Sequence, residues 1–360
     1  MIDAPLRFHW SLSSAGEKHR GAEARTAVSA MPNLEILGRF CRHAEDCGME
    51  SLLTAFGFHR PDPIVLAAAL GGVTRRIKFM IAVRSGVISP TLFVQQINSV
   101  AAVTGGRVCL NVVAGHTPAE QRAYGDFLAH DDRYDRTDEF LSICAALWRR
   151  DGEVDFEGKH YRIERGRLNL PFVADDRSSP EIYLGGSSEQ AERLAMKHAH
   201  CMWRLPDRPE VLEPLARRLA DSSTELGLLV SLLVRPTREQ AIADAYAMID
   251  MLGERPRQTH QEFAKRSDSV AFRSTYELAR RADWLTPYLW TGAVPYMGAP
   301  AIALVGSPED VAKGLLELKS SGVTQFLFMG WPDIDEMTTF SRDVLPLVRA
   351  MEVARTEATA

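Results

Sequence analysis

The stretch Glu181-Ile182-Tyr183-Leu184-Gly185-Gly186-Ser187-Ser188-Glu189-Gln190-Ala191-Glu192 sets the reading of the whole chain. Ile182 to Leu184 are apolar and strand-like, and Gly185-Gly186 break the strand. Ser187 is placed to cap a helix opening at Ser188-Glu189-Gln190. A strand, a glycine pair and a capped helix leave free backbone N–H groups aimed at one spot, where the helix dipole favours an anion. Late in a barrel of alternating strands and helices, such a turn is a phosphate site. The same residues also fit an ordinary βα turn with a good N-cap.

Outward from this stretch the pattern repeats. Strands are predicted at Leu6 to Leu12, Ser51 to Ala55, Ile77 to Val83 and Val108 to Val113. They continue at Ile182 to Leu184, Cys201 to Trp203, Leu228 to Val234 and Gln325 to Phe328. Helical periodicity follows each, as in Leu34, Leu37, Phe40, Cys41 and Ala44 before Gly48. Asp62-Pro63 and Ser307-Pro308-Glu309-Asp310 read as helix starts. Asp155 to Tyr161 reads as an appended hairpin. Eight strand–helix units imply α/β architecture, a parallel sheet closed as a (β/α)8 TIM barrel with insertions at its C-terminal face. An open doubly wound sheet would be expected to begin with G-x-G-x-x-G, which this chain lacks.

Residues 1–360 read as one such domain. Residues 116–132 form an insertion after the fourth strand. At 253–299 the alternation stops in a run rich in Arg, Pro and aromatics, read as a mobile lid or insertion after the seventh strand.

With 46% hydrophobic and 25% charged residues, a large core is within reach and disorder is excluded. A net charge of -5 without a basic run excludes a nucleic-acid partner. No signal peptide or membrane-length apolar run is visible, and the five scattered cysteines suit a reduced, cytoplasmic protein. No His/Cys/carboxylate spacing points to a metal.

In a barrel the chemistry sits at the C-terminal strand ends. His9 and Trp10 fall there, as do Phe56, Phe58, His59 and Arg60, then Arg84 and Ser85, Asn111 and His116, the Gly-Gly-Ser-Ser turn, Ser231 and Arg235, and Trp331. No Ser/His/Asp set, carboxylate pair or Schiff-base lysine stands out. Such a barrel suits a bound cofactor that carries the hard chemistry.

At this point the residues resemble the bacterial luciferase-like flavin monooxygenases, and within them the alkanesulfonate monooxygenase type. The resemblance runs over nearly the whole chain. It is carried by Thr74-Arg75-Arg76-Ile77-Lys78-Phe79, Ala82-Val83-Arg84, Ser89-Pro90-Thr91 and Gly105-Gly106-Arg107 with Asn111 to Gly115. Arg133-Tyr134, Glu139-Phe140, Phe156 to His160, the Gly-Gly-Ser-Ser turn, Asp268-Ser269-Val270, Leu289-Trp290 and Ala303 to Gly306 add to it. It implies reduced FMN (FMNH2) as cofactor, supplied by a separate NAD(P)H:FMN reductase. O2 would be the co-substrate, acting through a peroxyflavin on a small organic molecule, and the assembly a homodimer or homotetramer.

By that likeness Ser187, Ser188 and Tyr134 hold the phosphate beside Gly186, while Ala82, Asn111 and Gly115 line the isoalloxazine. His116 either touches the flavin phosphate or caps the insertion. A non-proline cis peptide is implied near Ala82-Val83. The departures concern the substrate. Where sulfonate-cleaving members carry an arginine and a histidine on strand seven, this chain has Leu229 and Ser231. Arg60, Ser14, Met297 and Trp331 replace the other substrate residues.

The likeness and its departures together point to a larger, less anionic substrate than a simple alkanesulfonate. His9, Phe56, Phe58, Tyr296 and Met297 are the candidate pocket. Arg60, His59, Ser231 and Trp331 are the candidate catalytic positions, with Arg60 a possible relocated anion clamp. His9 also fits a satisfied barrel histidine, and Ser231 faces pocket or helix layer according to register. Alternatives are a deazaflavin- or NADPH-dependent oxidoreductase of the same superfamily, a flavin-binding barrel without turnover, and an unrelated phosphate-binding isomerase or aldolase.

Overall fold

The computed structural model describes residues 4–12, 32–57, 60–115 and 118–359. Four strands rise in chain order: β1 (Arg7–Ser11), β2 (Ser51–Thr54), β3 (Lys78–Val83) and β4 (Val108–Val112). The antiparallel hairpin of β5 (Val154–Glu157) and β6 (Arg162–Gly166) stands outside them. The series resumes with β7 (Glu181–Gly185), β8 (Cys201–Arg204) and β9 (Glu225–Val234). Two further strands, β10 (Leu289–Trp290) and β11 (Ala303–Gly306), precede β12 (Val323–Gly330). β12 pairs in parallel with both β9 and β1, so eight parallel strands close on themselves. This is the (β/α)8 barrel that the alternation predicts.

The strands are apolar on both faces because both are covered. Outward residues such as Phe79, Leu110 and Phe326 pack under helices that include Pro90–Thr104 and His130–Arg149. Inward residues form layers, with Leu53, Met80, Ala82, Cys109, Tyr183, Cys201, Trp203 and Leu327 in one cluster. The N-terminal mouth is plugged by charge. Arg7 reaches Glu50 at 2.5 Å and Glu181 at 2.8 Å, and Lys78 reaches the same two carboxylates at 3.0 and 3.2 Å. The opposite end is left open for a ligand.

Several boundaries differ from the sequence reading, each for a local reason. The cap of the helix Glu189–His198 is Ser188, not Ser187; its Oγ accepts the Ala191 N–H at 3.2 Å. The polar insertion after β4 contains a short helix, Pro118–Ala123, and the next helix starts at His130. The bond between Ala82 and Val83 is not cis; among the described residues the cis bond is Trp331–Pro332.

Residues 253–299 hold helices Glu254–Arg266 and Val270–Arg281, then β10. β11, absent from the sequence reading, explains the return. β9 is ten residues long, and β8 pairs only with its first half, Glu225 to Leu228. β11 covers the upper half, with Ala303 opposite Ser231 and Val305 opposite Leu233. Without it those backbone groups would lack partners.

Candidate active site

A cavity of about 220 Å³ opens at the C-terminal end of the barrel. Its floor is apolar, made by Leu53, Leu229 and Leu327 from β2, β9 and β12. Trp203 closes the floor from β8. Its ring stacks on Tyr183 at 5.3 Å and 10°, and Gly227 makes room for it. A Cβ at Gly227 would lie 2.3 Å from that ring. The Trp203 indole N–H and the Asn111 Oδ1 are both buried and have no hydrogen-bond partner. Both residues line the cavity, and a buried unpaired donor or acceptor costs roughly 1–3 kcal/mol unless a partner completes it.

The other end of the cavity is built for an anion. Gly185 to Ser188 lead into the helix Glu189–His198, whose first N–H groups face the cavity. A Cβ at Gly186 would lie 2.5 Å from Ala191 Cβ and 3.3 Å from the Tyr134 hydroxyl, so only glycine fits. Tyr134 stands beside Ser188, and burial raises its hydroxyl above the ordinary range, which keeps it a protonated donor. His130 packs against it at 5.1 Å.

A second helix, Val270–Arg281, points its N-terminus at the same cavity through Ser269 and Val270. Arg133 fixes that approach. It is buried, bonds Asp268 at 2.6 Å, and also donates to the Ala114 carbonyl at 3.1 Å and the Leu128 carbonyl at 3.0 Å. Two helix N-termini thus converge on one place.

Of the positions singled out in the sequence, Asn111, Gly115, Tyr134, Gly186, Ser187 and Ser188 line this one cavity. Ala82 sits beside Asn111 across the β3–β4 ladder. Gly115 needs its positive φ of 86°, and a Cβ there would lie 2.5 Å from the Gln121 amide. Gln121 is itself buried with both amide atoms unpartnered.

The substrate-side positions are dispersed. His9 is fully buried below the floor, with Nδ1 2.8 Å from Ser51 and Nε2 2.9 Å from Gln325. Burial pushes its pKa down to about 4, so it is a neutral barrel histidine, not a pocket residue. Ser231 is buried under the β11 segment and donates to the Pro300 carbonyl at 3.2 Å. Trp331 packs with Leu233, Trp290 and Val305 away from the cavity, and Tyr296 and Met297 lie against that cluster. Phe56 is not among the lining residues and packs against the inner barrel cluster, its ring 4.8 Å from the Arg84 guanidinium, which pairs with Glu120 at 2.8 Å. Arg60 lies outside the lining, on the loop after β2, where its N–H donates to Gly57. Phe58, His59, His116 and Ser14 lie outside the described residues.

Trp203, Arg204 and His130 line the cavity and were not singled out; Ser269 lines it too, and belongs to the quoted Asp268-Ser269-Val270 stretch without having been given a site role. Trp203-Arg204 ends a strand, so the rule that flagged the other strand ends applied to it equally. His130 and Ser269 come from the 116–132 and 253–299 insertions, whose ranges the sequence shows but whose cavity-lining residues it does not. Asp132, Asp135 and His160 also meet in space, but the Lys159 ammonium already sits 2.5 Å from Asp132.

Comparison with known proteins agrees with this geometry. The family described as luciferase-like monooxygenase matches residues 6–325. EDTA monooxygenase from Chelativorans sp. BNC1 superposes with a TM-score of 0.77 at 20% identity, over 97% of this chain and 94% of that one. Riboflavin lyase, solved with modified FMN and its substrate riboflavin, gives 0.72 at 20% identity over 97% and 92%. An F420-dependent secondary alcohol dehydrogenase gives 0.66 at 16% identity over 96% and 99%. These likenesses are of fold. The family match runs from the approach to β1 into β12 and takes in every residue that lines the cavity except Leu327, and the chain belongs to the luciferase-like monooxygenase family.

Proposed function

We propose that this chain is a monooxygenase that takes reduced FMN from a separate NAD(P)H:FMN reductase and uses O2 to oxidise a small organic molecule. The observation that carries this reading is one cavity whose lining joins an anion-ready turn to Asn111 and Trp203, the residues whose Oδ1 and Nε1 are buried and unpaired. A flavin mononucleotide has that polarity along its length: a dianionic phosphate, then a flat ring with polar edges. Ser187, Ser188, Tyr134 and the helix N–H groups would hold the phosphate. Asn111 and Trp203 would meet polar edges of the ring system, with Ala82 and Gly115 leaving room for it.

When bound, reduced FMN supplies the electrons that activate O2. The chain binds, orients and excludes water: Leu53, Leu229 and Leu327 provide a dry floor. Tyr134 keeps its proton at neutral pH. We further propose that the helices within residues 253–299 cover the mouth during turnover.

The substrate is proposed to be largely apolar. Leu229 lines the floor where sulfonate-cleaving relatives have an arginine, and Ser231 is tied to a backbone carbonyl. A homo-oligomer is supported by exposed Val65, Leu92 and Val103 on the helices outside β2 to β4. A cytoplasmic location is supported by five free, buried cysteines. Among the described residues no helix is long and apolar enough to cross a membrane.

The test couples the protein to an NADH:FMN reductase and screens apolar thioethers, ketones and alkanes for substrate-dependent oxygen consumption and product. Oxygenated product that requires both FMN and O2 supports the proposal. Turnover with a reduced deazaflavin in the absence of O2, and none with FMN, would replace it with hydride transfer, the chemistry of the F420-dependent neighbour.

A further inference from the structure

Arg204 ends β8, and its side chain lines the cavity next to the Gly-Gly-Ser-Ser turn; the Gly186 N–H donates to the carbonyl of the preceding Trp203. It is half-buried, and burial lowers its guanidinium below the ordinary value. Apart from His130 it is the one lining residue with an ionisable side chain that can carry positive charge, and none of the lining residues is acidic.

The carboxylate nearest in the electrostatics, Glu192 on the first turn of the Glu189–His198 helix, is taken. Arg218 holds it with two hydrogen bonds, at 2.7 and 3.1 Å. No hydrogen bond or ion pair of the Arg204 side chain occurs among the described residues. Asp207, three residues on, adds only a longer-range attraction, so a guanidinium with no carboxylate in direct contact lines the same cavity as the positive end of a helix. That juxtaposition is unfavourable in the empty protein and becomes favourable when an anion lies between them.

We infer that Arg204 is the counter-ion for the flavin phosphate and makes the cavity select phosphorylated flavin over riboflavin. This rests on the flavin reading above. The Glu192–Arg218 pair acts as a positioning element: by occupying the carboxylate it leaves Arg204 free for the ligand. The chemistry recognised is a phosphate monoester dianion, whose three outer oxygens suit a forked guanidinium together with helix N–H groups and hydroxyls.

The experiment measures dissociation constants of FMN and riboflavin, reduced and oxidised, for the wild type and for Arg204→Met, Arg204→Gln and Arg204→Lys. The melting temperature of each is recorded with and without inorganic phosphate. The expected result is a roughly 10- to 100-fold weakening of FMN in the Met and Gln variants, with riboflavin changed by less than about 2-fold and partial recovery in Lys. The Met variant without ligand should melt no lower than wild type, because a charge without a directly bonded partner is removed; phosphate should raise the melting temperature of wild type, less so that of the Lys variant, and not that of the Met and Gln variants.

Equal weakening of FMN and riboflavin, or a lower melting temperature in all three variants without ligand, would assign Arg204 a structural role and overturn the inference. Loss of the phosphate effect with FMN affinity unchanged would also overturn it, placing a different anion at Arg204. If wild type binds neither flavin, the flavin reading itself fails, a result distinct from any of these.

Discussion

The Arg133 guanidinium bonds the Asp268 carboxylate at 2.6 Å and so ties the helix beneath the phosphate turn to the segment that crosses the cavity mouth. Arg133 is 3% exposed, and its other contacts are the carbonyls of Ala114 and Leu128. One buried cation thus fixes the end of β4, the insertion and the start of the Val270–Arg281 helix. Asp268→Asn removes the counter-charge and keeps the shape. It should cost about 2–3 kcal/mol of stability and weaken flavin binding several-fold, because the second helix N-terminus loses its anchor. Chemical denaturation and flavin titration of the same variant check both effects. Unchanged flavin affinity would mean the segment does not contribute to the site.

Gly186→Ala tests the phosphate turn. The added methyl meets Ala191 Cβ at 2.5 Å, so the first turn of the helix must shift. A destabilisation of about 1–3 kcal/mol is expected from overpacking. FMN should weaken by about 10-fold or more, since N–H groups displaced by a few tenths of an ångström no longer converge. A variant that binds FMN like wild type would remove this turn from the phosphate site.

Trp203→Phe separates packing from hydrogen bonding. It deletes an unpaired buried N–H while keeping a stacking ring over Tyr183. The protein without ligand should lose less stability than a typical Trp truncation, within about 1 kcal/mol of wild type, because the unsatisfied donor goes too. Flavin affinity should fall about 10-fold. Gly227→Ala, by contrast, should destabilise by about 3 kcal/mol, the upper end of typical overpacking, as its methyl would sit 2.3 Å from the Trp203 ring. Thermal melts of both proteins distinguish a ligand-directed indole from a purely structural one.

Acid should unfold the barrel through His9. Its folded pKa is about 4 against 6.5 for an ordinary imidazole, because burial disfavours the charge. The unfolded chain therefore takes up a proton at higher pH than the native one. Stability is lost as pH falls from 6.5 toward 4 and is constant with respect to this group below that. The gap between those two values corresponds to about 3 kcal/mol. Glu50 adds a second loss further down. Burial opposes its charge, but the Arg7 hydrogen bond and the nearby cations outweigh it and draw its pKa to about 2. Its contribution is present above about 4.5 and disappears toward 2. Unfolding free energies from pH 7 to 4 should fall less steeply in His9→Gln than in wild type; parallel slopes would rule out the assignment.

The barrel was legible because its signal is repeated. Eight short apolar runs, each followed by a helical period, leave little freedom in topology. The cavity lining was legible in two ways: Asn111 and the Gly-Gly-Ser-Ser turn lie at strand ends, which converge by the geometry of a barrel, while Gly115 and Tyr134 followed from the family resemblance. The substrate side was not. Ser231 and Trp331 lie on or just after barrel strands, yet β11 covers one and the Trp290 cluster absorbs the other. A strand that joins only the upper half of β9 cannot be read from Ala303 to Gly306 alone, whose four residues carry no period. Arg204 could have been flagged as a strand-end residue, but that its side chain has no hydrogen-bond or ion-pair partner among the described residues is a property only the folded chain reveals.

The central claim is that this cavity binds reduced FMN. The most direct test is an anaerobic equilibrium titration of the wild-type protein with reduced and with oxidised FMN, followed by Trp fluorescence, which Trp203 at the cavity floor should report. Saturable quenching with a clear preference for reduced FMN, lost in Gly186→Ala, is the predicted result. Absence of saturable binding by either form, with the protein folded, would contradict the account.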